Sequence, residues 1–287
     1  MESLSTLVGR FPGLEVLVLG DAFLDGWVSG PSPRLAREAP VPVVAVESTV
    51  FAPGAAANTA ANVAALGARV RFLSVVGDDP DGRTLRAELR RRGVGDADLL
   101  RASGRRTVAK RRVLAGDQML TRIDEGDTGP LPPDVLTRLL RRLDAALPTV
   151  DVVVVGDYEA GVCAPEVLDR FAAEQARSPR LLVVDARSPR RWARVHPVAL
   201  KPNAAETCTL LGPAAAARLA DARGADARVE AVEYAAGELL GASGAQVVAV
   251  TLDVDGGVVL ERDRPAHRLW TRPAPSTRSN GAGDSFT

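Results

Sequence analysis

The chain has 287 residues, 46% of them hydrophobic and 25% charged, a composition typical of a globular protein that buries one sizeable core. This composition excludes collagen-like, disordered and disulfide-rich architectures. Lysine plus arginine and aspartate plus glutamate each number 36, so the formal net charge is +0. Because no overall field attracts nucleic acid or an anionic membrane, we expect neither as a partner, and any anionic partner must bind at a local site.

Cysteine usage and hydropathy point to the cytoplasm. The two cysteines, Cys163 and Cys208, lie far apart and outside any metal-binding motif, which favours reduced side chains over a disulfide. The apolar run of residues 16–19 ends at Gly20 and Asp21, whereas a membrane-spanning helix needs about 20 apolar residues. We therefore expect a cytoplasmic protein with no signal peptide and no membrane span.

Short valine-rich runs alternate along the chain with stretches rich in alanine, leucine and arginine that have helical period. This alternation predicts an α/β fold in which helices cover both faces of a mostly parallel sheet. In chain order, the predicted elements are strand 15–19, helix 56–66, strand 69–76, helix 80–92, helix 133–146, strand 151–155, helix 165–176, strand 181–185, strand 198–200, helix 204–211, helix 229–240 and strand 246–252.

Two further segments do not follow this alternation of predicted strands and helices. Residues 26–47 are rich in proline and residues 105–124 alternate polar with apolar side chains, and both predict extended chain in a small β lid outside the main sheet. Neither segment is long enough for a domain of its own, so residues 1–287 are expected to form one domain.

Polar residues follow five of the predicted strands at the point where each strand ends. Because the carboxyl ends of parallel strands meet at one edge of the sheet, these residues are candidates for a ligand site. A single Asp at such a position is usually a helix cap or a turn residue, but several at one edge are a stronger indication. The segments concerned are Gly20-Asp21, Gly77-Asp78-Asp79, Gly156-Asp157, Asp185 and Lys201-Pro202-Asn203.

The segment 279–286, Ser-Asn-Gly-Ala-Gly-Asp-Ser-Phe, is the strongest candidate for chemistry. Its glycines allow backbone N–H groups to approach an anion closely, and a helix that begins there would add its positive dipole end. A carboxylate beside a phosphate is unfavourable if it is merely structural, but Asp284 fits if it removes a proton from an attacking hydroxyl. On these residues alone, a glycine-rich turn capped by Asp284 is the simpler interpretation.

Further motifs favour the catalytic interpretation of Asp284 over the structural turn. They are Leu19-Gly20-Asp21 with Leu24-Asp25, Glu38-Ala39-Pro40-Val41-Pro42-Val43, Pro53-Gly54-Ala55-Ala56-Ala57-Asn58, Ala65-Leu66-Gly67-Ala68, Val76-Gly77-Asp78-Asp79 with Gly82, Lys110-Arg111-Arg112-Val113, residues 118–124, Gly156-Asp157-Tyr158, Asn203 with Glu206, and Gly281-Ala282-Gly283-Asp284. Over nearly the whole chain these motifs resemble the ribokinase-like (PfkB-type) carbohydrate kinases, whose C-terminal signature is Asp-Thr-x-Gly-Ala-Gly-Asp. Within that family, the segments 38–43 and 118–124 resemble the bacterial D-glycero-β-D-manno-heptose 7-phosphate kinases.

The resemblance implies a three-layer α/β/α fold and a reaction. In the family, the position of Asp284 belongs to the general base, which here would activate the anomeric hydroxyl of heptose 7-phosphate for attack on the γ-phosphate of ATP. The product would be heptose 1,7-bisphosphate. The backbone N–H groups of Gly281, Ala282 and Gly283 would hold the transferring phosphoryl group.

For the nucleotide, the resemblance implies contacts from Asn203, Glu206, Thr251, Gly256, Gly281 and Gly283. Asn203 and Glu206 would organise Mg²⁺ through its waters around the ATP phosphates, which suits a cation that keeps most of its hydration shell. The same three-residue spacing also fits a helix capping box.

For the sugar, the resemblance implies contacts from Asp21, Asp25, Gly54, Asn58 and Asp185. A substrate that already carries a phosphate also needs cations away from the reacting end. Lys110 and Arg112 alternate with Arg111 in an extended segment, so they share one face, and Arg187 stands where the heptose kinases have lysine. These basic residues favour a phosphosugar over a free sugar.

Several motifs, most of them in the segments expected to bind the nucleotide, depart from the family pattern. Arg278 and Ser279 stand where the signature begins with Asp and Thr, Ala55 replaces the second glycine of a Gly-Gly pair, and Asp253 replaces the first glycine of a Thr-x-Gly-x-x-Gly loop. A carboxylate at position 253 would repel the ATP phosphates, with Arg278 as a partial compensation. Only three residues follow Asp284, too few for the helix that comes next in the family, so the C-terminal helices of the family are expected to be missing.

Several functions stay open on this basis. The first is an ATP-dependent heptose 7-phosphate kinase, and the second is a sugar-phosphate-binding protein of the same fold with weak or no catalysis. Another sugar or nucleoside kinase of the family is the third. The resemblance also implies a homodimer, formed through the exposed edge of the lid at residues 41–47.

Overall fold

The computed structural model describes residues 4–270 and 282–287. The strands are β1 Glu15–Gly20, β2 Ala22–Gly30, β3 Arg34–Leu35, β4 Pro42–Val43, β5 Ser48–Ala55, β6 Arg69–Gly77, β7 Leu99–Ala102, β8 Val108–Ala115, β9 Gln118–Glu125, β10 Val152–Asp157, β11 Leu181–Ala186, β12 Ala199–Leu200, β13 Val247–Thr251, β14 Gly257–Glu261 and β15 His267–Leu269. The α-helices are α1 Leu4–Val8, α2 Ala56–Ala65, α3 Pro80–Arg91, α4 Pro133–Ala146, α5 Pro165–Arg177, α6 Ala204–Leu210, α7 Pro213–Asp221, α8 Ala225–Tyr234, α9 Ala236–Ser243 and α10 Ala282–Phe286.

The main sheet follows the predicted architecture. Its strand order over the described residues is β15-β14-β13-β12-β11-β10-β1-β6-β7. In this order, every pair of neighbouring strands between β13 and β7 is parallel. At the other edge, β14 is antiparallel to β13, and β15 is antiparallel to β14. All six predicted strands lie in this sheet, which confirms the prediction of a mostly parallel sheet.

Alternation along β1 explains why the sheet is covered on both faces. Val16 and Val18 pack on one side with buried residues of α2 and α3, while Leu17 and Leu19 pack on the other side with buried residues of α4 and α5. Leu17 and Leu19 are fully buried, and burial of a leucine side chain contributes about 2 kcal/mol. The three-layer arrangement is therefore confirmed.

The predicted helix 229–240 is wrong as a single element. The chain forms two helices, α8 and α9, separated at Ala235, whose φ and ψ are −92° and 6°. The apolar pattern runs through the break because residues 235–237 are Ala, Ala and Gly, small residues whose sequence carries no stop signal. Helix α8 also begins earlier, directly after Gly224, which has a φ of 81°.

The two predicted lid segments lie in smaller sheets beside the main one. A four-stranded sheet has the order β5-β2-β8-β9, and β3 pairs with β4 in a two-stranded ribbon. We refer to these two sheets together, six strands in all, as the small sheet. Its inner residues Leu24 and Ala109 are fully buried in the same cluster as α2 and α3, so the small sheet is anchored next to the start of α2. None of the helices in the described part of the chain is long and apolar enough to cross a membrane.

Candidate active site

Asp284 lies in α10 and faces α2. Asn58 Nδ2 donates a hydrogen bond of 3.0 Å to Oδ2 of Asp284, and the hydroxyl of Tyr158 donates to Oδ1. Two further bonds dock α10 on α2: Thr59 Oγ1 donates to the Asp284 carbonyl over 3.4 Å and Asn62 Nδ2 donates to Ser285 Oγ over 2.9 Å. Thus the structure brings together the predicted base and the predicted sugar-binding Asn58.

Asp284 lies in the middle of a short helix. Only three residues follow it, but α10 begins before it, at Ala282. A turn this short is unstable alone because nucleation is costly, and the side-chain bonds from α2 supply tertiary support. Ala282 and Gly283 lie in α10, whereas Gly281, Arg278 and Ser279 lie outside the described residues.

Behind Asp284, the ends of three neighbouring strands meet in a polar network. The Tyr158 hydroxyl lies 3.3 Å from Oδ2 of Asp185 as well as next to Asp284. Lys201 Nζ forms an ion pair of 3.0 Å with the same Asp185 oxygen, and Thr287 Oγ1 donates to it over 3.2 Å. Asp185 and Lys201 are both 6% exposed.

Lys201 reaches the predicted phosphate-binding segment. A Cβ atom added at Gly283 would lie 3.5 Å from its Nζ. Sequence reasoning noted Lys201 as a strand-end residue but assigned no role to it or to Tyr158. One feature of the sequence could have identified Lys201. The chain has only two lysines, Lys110 and Lys201, among many arginines, and both lie at this site.

The pKa values of two acids in this network, Asp284 and Asp185, are raised above their usual values. Burial raises the pKa of Asp284, and the negative charge of Asp185 raises it further, whereas the hydrogen bonds from Tyr158 and Asn58 and the charge of Lys201 act to lower it. Burial likewise raises the pKa of Asp185 against the opposing effect of Lys201. A carboxylate with a raised pKa is a stronger base, so Asp284 is suited to accept a proton from a hydroxyl.

Asp21, predicted to bind a sugar hydroxyl, is enclosed by backbone donors. Asp21 is 1% exposed, and its oxygens accept hydrogen bonds of 2.8, 3.0 and 3.0 Å from the backbone N–H groups of Tyr158, Ala160 and Val162. With both oxygens buried and engaged, Asp21 holds the loop that carries Tyr158.

Asp25 occupies a different position, on β2 of the small sheet. Its Oδ1 forms an ion pair of 2.8 Å with Arg112, and a side chain at position 54 would overlap its Oδ2, which explains the need for glycine there. The Arg112 guanidinium also lies 5.2 Å from the centre of the Trp27 ring. Because Asp25 neutralises Arg112, this arginine is not a free cation for a phosphate.

Lys110 and Arg187 remain as the cations of the predicted phosphate site. Lys110 Nζ lies 4.6 Å from the centre of the Phe23 ring. Burial lowers the pKa of Lys110, and the neighbouring positive charge of Arg187 lowers it further. Arg111 points away from them and pairs with Asp81 at 2.6 Å, as the alternation along β8 predicts. The like charge of Arg187 thus acts on Lys110, while the negative charges of Asp124 and Asp25 oppose that effect.

Asn203 and Glu206 form the capping box at the start of α6. Asn203 Oδ1 accepts from the Glu206 N–H over 2.9 Å, and Glu206 Oε2 accepts from the Asn203 N–H over 2.8 Å. Thr251, also predicted to bind nucleotide, lies alongside, bridged to Asn203. Burial raises the pKa of Glu206, and the negative charge of Asp185 contributes to the rise. No cluster of three or more ligand-type side chains occurs in residues 4–270 and 282–287.

The loop after β13 holds its unusual acid, Asp253, beside an arginine of α8. Asp253 adopts a φ of +56°, the left-handed conformation that favours glycine, and pairs with Arg228 at 3.2 Å. Asp255 pairs with the same guanidinium at 2.8 Å. Compensation therefore comes from Arg228 of α8. Gly256 has a φ of +93°, and a side chain there would overlap the Leu269 carbonyl.

A cavity of about 460 Å³ lies between this loop and α6. Its walls are formed largely by small and apolar residues, with two arginines and one carboxylate at its rim. The lining residues are Ala204, Ala205, Cys208, Leu219, Ala220, Ala222, Arg223, Gly224, Arg228 and Asp255.

Other strand-end acids are structural. Asp79 caps α3 and also accepts from Thr107, while Asp157 accepts from the buried Trp192 indole over 2.9 Å. For these two residues, the cap and turn interpretation is the correct one.

Comparisons with known proteins agree with this architecture. A family model described as pfkB family carbohydrate kinase matches residues 15–287. The bifunctional protein HldE of Caulobacter sp. (strain K31) is 39% identical over 227 residues, which cover 79% of this chain and 46% of that protein. The bifunctional protein HldE of Caulobacter vibrioides is 34% identical over 286 residues, which cover 99% of this chain and 56% of that protein. The chain thus spans about half the length of these curated relatives.

Solved structures share the fold at lower identity. Ribokinase from Cryptococcus neoformans var. grubii serotype A, in complex with ADP, aligns with a TM-score of 0.69 at 21% identity over 95% of this chain and 84% of that one. Phosphofructokinase-2 from Escherichia coli, in complex with substrates and products, aligns with a TM-score of 0.67 at 20% identity over 95% of this chain and 83% of that one. Together with the family match, this ribokinase-like fold leads to one conclusion: the chain belongs to the pfkB family of carbohydrate kinases.

Proposed function

We propose that this kinase transfers the γ-phosphate of ATP to the anomeric hydroxyl of D-glycero-D-manno-heptose 7-phosphate and releases the 1,7-bisphosphate. The observation that carries the proposal is the position of Asp284. Its carboxylate, with a raised pKa, is fixed beside Asn58 and lies between the Lys201 end of the site and the loop that carries Tyr158. The resemblance of segments 38–43 and 118–124 to heptose kinases supports the choice of sugar.

In the proposed complex, the 7-phosphate of the sugar binds Lys110 and Arg187. Their like charges repel in the free protein, and a phosphate dianion replaces that repulsion with charge-assisted hydrogen bonds. Asn58 and Asp25 bind sugar hydroxyls, with Asp25 held in place by Arg112 and by the close approach of Gly54. The small sheet acts as the lid over this sugar.

ATP binds with its nucleoside in the cavity beside α6 and its phosphates towards the segment 281–283. The cavity volume is within the range of about 300–1,000 Å³ that small-molecule sites occupy. Asn203 and Glu206 would hold Mg²⁺ through water, and the bound cation would neutralise charge on the phosphates. Thr251 and Gly256 shape the adjoining loop.

The proposed chemical step uses groups of this chain alone. Asp284 removes the proton from the anomeric hydroxyl, whose oxygen then attacks the γ-phosphorus while ADP leaves on the opposite side. Lys201 and the N–H groups of residues 281–283 stabilise the charge on the transferring group. Because ATP and phosphosugars are cytoplasmic metabolites, the reaction would take place in the cytoplasm.

Coupled ADP release tests the proposal. With heptose 7-phosphate, we expect turnover in the native chain and a loss of about 10²- to 10⁴-fold in Asp284→Asn. Asp263→Asn, at an exposed turn between β14 and β15, is the matched control and keeps native turnover.

The alternatives have distinct outcomes in the same assay. Turnover with sugars or nucleosides regardless of a terminal phosphate would identify another kinase of the family. Calorimetric binding of heptose 7-phosphate without turnover above Asp284→Asn would identify a sugar-phosphate-binding protein of kinase fold.

A further inference from the structure

Tyr158 is the one phenol that the described structure places between two acids of the site. Its hydroxyl donates to Oδ1 of Asp284 and lies 3.3 Å from Oδ2 of Asp185. A phenol carries a single hydrogen, so it serves one of the two carboxylates at a time. The question is which acid receives it.

The partners of the two acids answer that question. Oδ2 of Asp185 already accepts from Lys201 Nζ at 3.0 Å, and the Thr287 hydroxyl lies 3.2 Å from it and 3.1 Å from the Gly283 carbonyl. Oδ1 of Asp284 has Tyr158 as its donor among residues 4–270 and 282–287. An unpaired buried carboxylate oxygen is costly, whereas Asp185 is satisfied without the phenol. The hydrogen therefore belongs to Asp284.

Tyr158 is itself held rigidly. Its backbone N–H donates over 2.8 Å to the buried Asp21, and its ring packs edge-on against Phe23 with 5.7 Å between ring centres. Burial raises the pKa of the phenol, and the charges of Asp185 and Asp284 raise it further, so it stays protonated and remains a donor. The fold thus presents a fixed hydrogen at one point beside Asp284.

We propose that Tyr158 is a positioning residue for the base: its hydroxyl holds Oδ1 of Asp284 and thereby turns Oδ2 towards Asn58, where the sugar hydroxyl binds. This inference rests on the proposed function for its catalytic consequence. The hydrogen bond from Tyr158 also lowers the pKa of Asp284 and opposes the effect of burial. The other charged groups that face Asp284 are Asp185 from β11, whose own pKa the Tyr158 hydroxyl also lowers, and Lys201 from the end of β12.

Tyr158→Phe tests the inference because it removes only the hydroxyl. We expect kcat to fall about 10- to 100-fold with the KM values for ATP and sugar phosphate within twofold of native. Rate falls towards low pH as Asp284 is protonated, and in Tyr158→Phe this acid limb should move to higher pH, since the stabilising bond to the carboxylate is gone. Tyr234→Phe is the matched control, because Tyr234 is 71% exposed and the chain has two tyrosines.

A titration without turnover separates this inference from the proposed function. With ¹³C-carboxyl-labelled aspartate, the Asp284 resonance is the one absent from Asp284→Asn, and its pKa should be higher in Tyr158→Phe than in the native chain. An unchanged Asp284 titration and an unmoved acid limb overturn the role of Tyr158, even if the native chain phosphorylates the sugar. A native chain without sugar-dependent turnover overturns the proposed function, while the shift of the Asp284 titration still supports the positioning of its carboxylate by Tyr158.

Discussion

Lys110 differs from Lys201 in its electrostatic surroundings, although both lysines lie at the site. Lys201 is paired with a buried carboxylate, whereas Lys110 lies over the Phe23 ring with the cation Arg187 nearby. The negative charges of Asp124 and Asp25 oppose the lowering of the Lys110 pKa by burial and by Arg187 but do not cancel it, so an anionic ligand would stabilise the charged form of Lys110. This difference makes Lys110 the better place to test recognition of the sugar phosphate.

Lys110→Met removes the ammonium and keeps an unbranched side chain over Phe23. Loss of one charge-assisted contact, worth about 1.5–3 kcal/mol, predicts a rise of about 10- to 100-fold in KM for heptose 7-phosphate with little change in kcat. Steady-state kinetics with the same sugar lacking its phosphate provide the control, because that substrate makes no contact with Lys110. An equal loss for both sugars would show that Lys110 acts on the fold and not on the phosphate.

At the scale of elements, Asp79 joins the end of β6 to the small sheet. Its side chain accepts 2.7 Å bonds from the N–H groups of Gly82, in the first turn of α3, and of Thr107, and a 2.8 Å bond from the Thr107 hydroxyl. Asp79→Ala removes an N-cap and leaves buried donors of Thr107 unpaired, so we expect a loss of about 2–4 kcal/mol in the free energy of unfolding. Urea unfolding measures it. Asp78→Ala is the control, since Asp78 is half-exposed and its 3.6 Å ion pair with Arg101 is worth less than about 1 kcal/mol.

The pH dependence of that difference has a definite sign. Burial acts to raise the pKa of Asp79, but the hydrogen bonds from Thr107 and Gly82 together lower it below its usual value. A carboxylate with a depressed folded-state pKa stabilises the fold above its unfolded pKa of about 3.9, and that stability is lost as pH falls through the folded value. The gap between the native chain and Asp79→Ala should be complete at neutral pH and shrink below about pH 4. A gap that widens in acid would contradict this assignment of the capping carboxylate.

Elements with strong periodicity were predictable from the sequence, and those set by long-range pairing were not. The strands at the centre of the main sheet appear where their valine-rich runs predict them, because both of their faces are buried. The antiparallel strands β14 and β15 and the short β7 were not predicted. They lie at the sheet edges and contain few residues, so their sequence carries a weak pattern.

For the site, the motifs predicted which residues matter but not how the acids divide their roles. Asp21 and Asp25 look equivalent in the sequence, yet one is engaged by the backbone of residues 158–162 and the other by Arg112. Which of them is accessible depends on a loop more than a hundred residues away. Tyr158 was missed for the same reason, since its partner Asp284 is 126 residues further along the chain.

At the scale of the whole molecule, the small sheet carries several large apolar side chains that the described residues leave exposed. Six large apolar side chains of β3, β5, β9 and the chain on either side of β4 are 45–59% exposed: Leu35, Val41, Val46, Val50, Met119 and Ile123. Clustered apolar residues of this kind are typical of interfaces between copies of a chain, and a specific dimer buries about 800 Å² on each partner. Residues 41–47, the edge expected to form a homodimer, lie within this surface.

Light scattering tests whether the small sheet forms a dimer. We expect the native chain at micromolar concentration to have twice the monomer mass of 30.1 kDa. Val46→Asp combined with Val50→Asp should give the monomer mass, because two carboxylates would be desolvated in the interface without partners. Val8→Asp, at a valine of α1 that is 44% exposed and outside the small sheet, is the matched control and should remain dimeric. A native chain of monomer mass would refute the dimer, and dissociation by Val8→Asp would move the interface away from the small sheet.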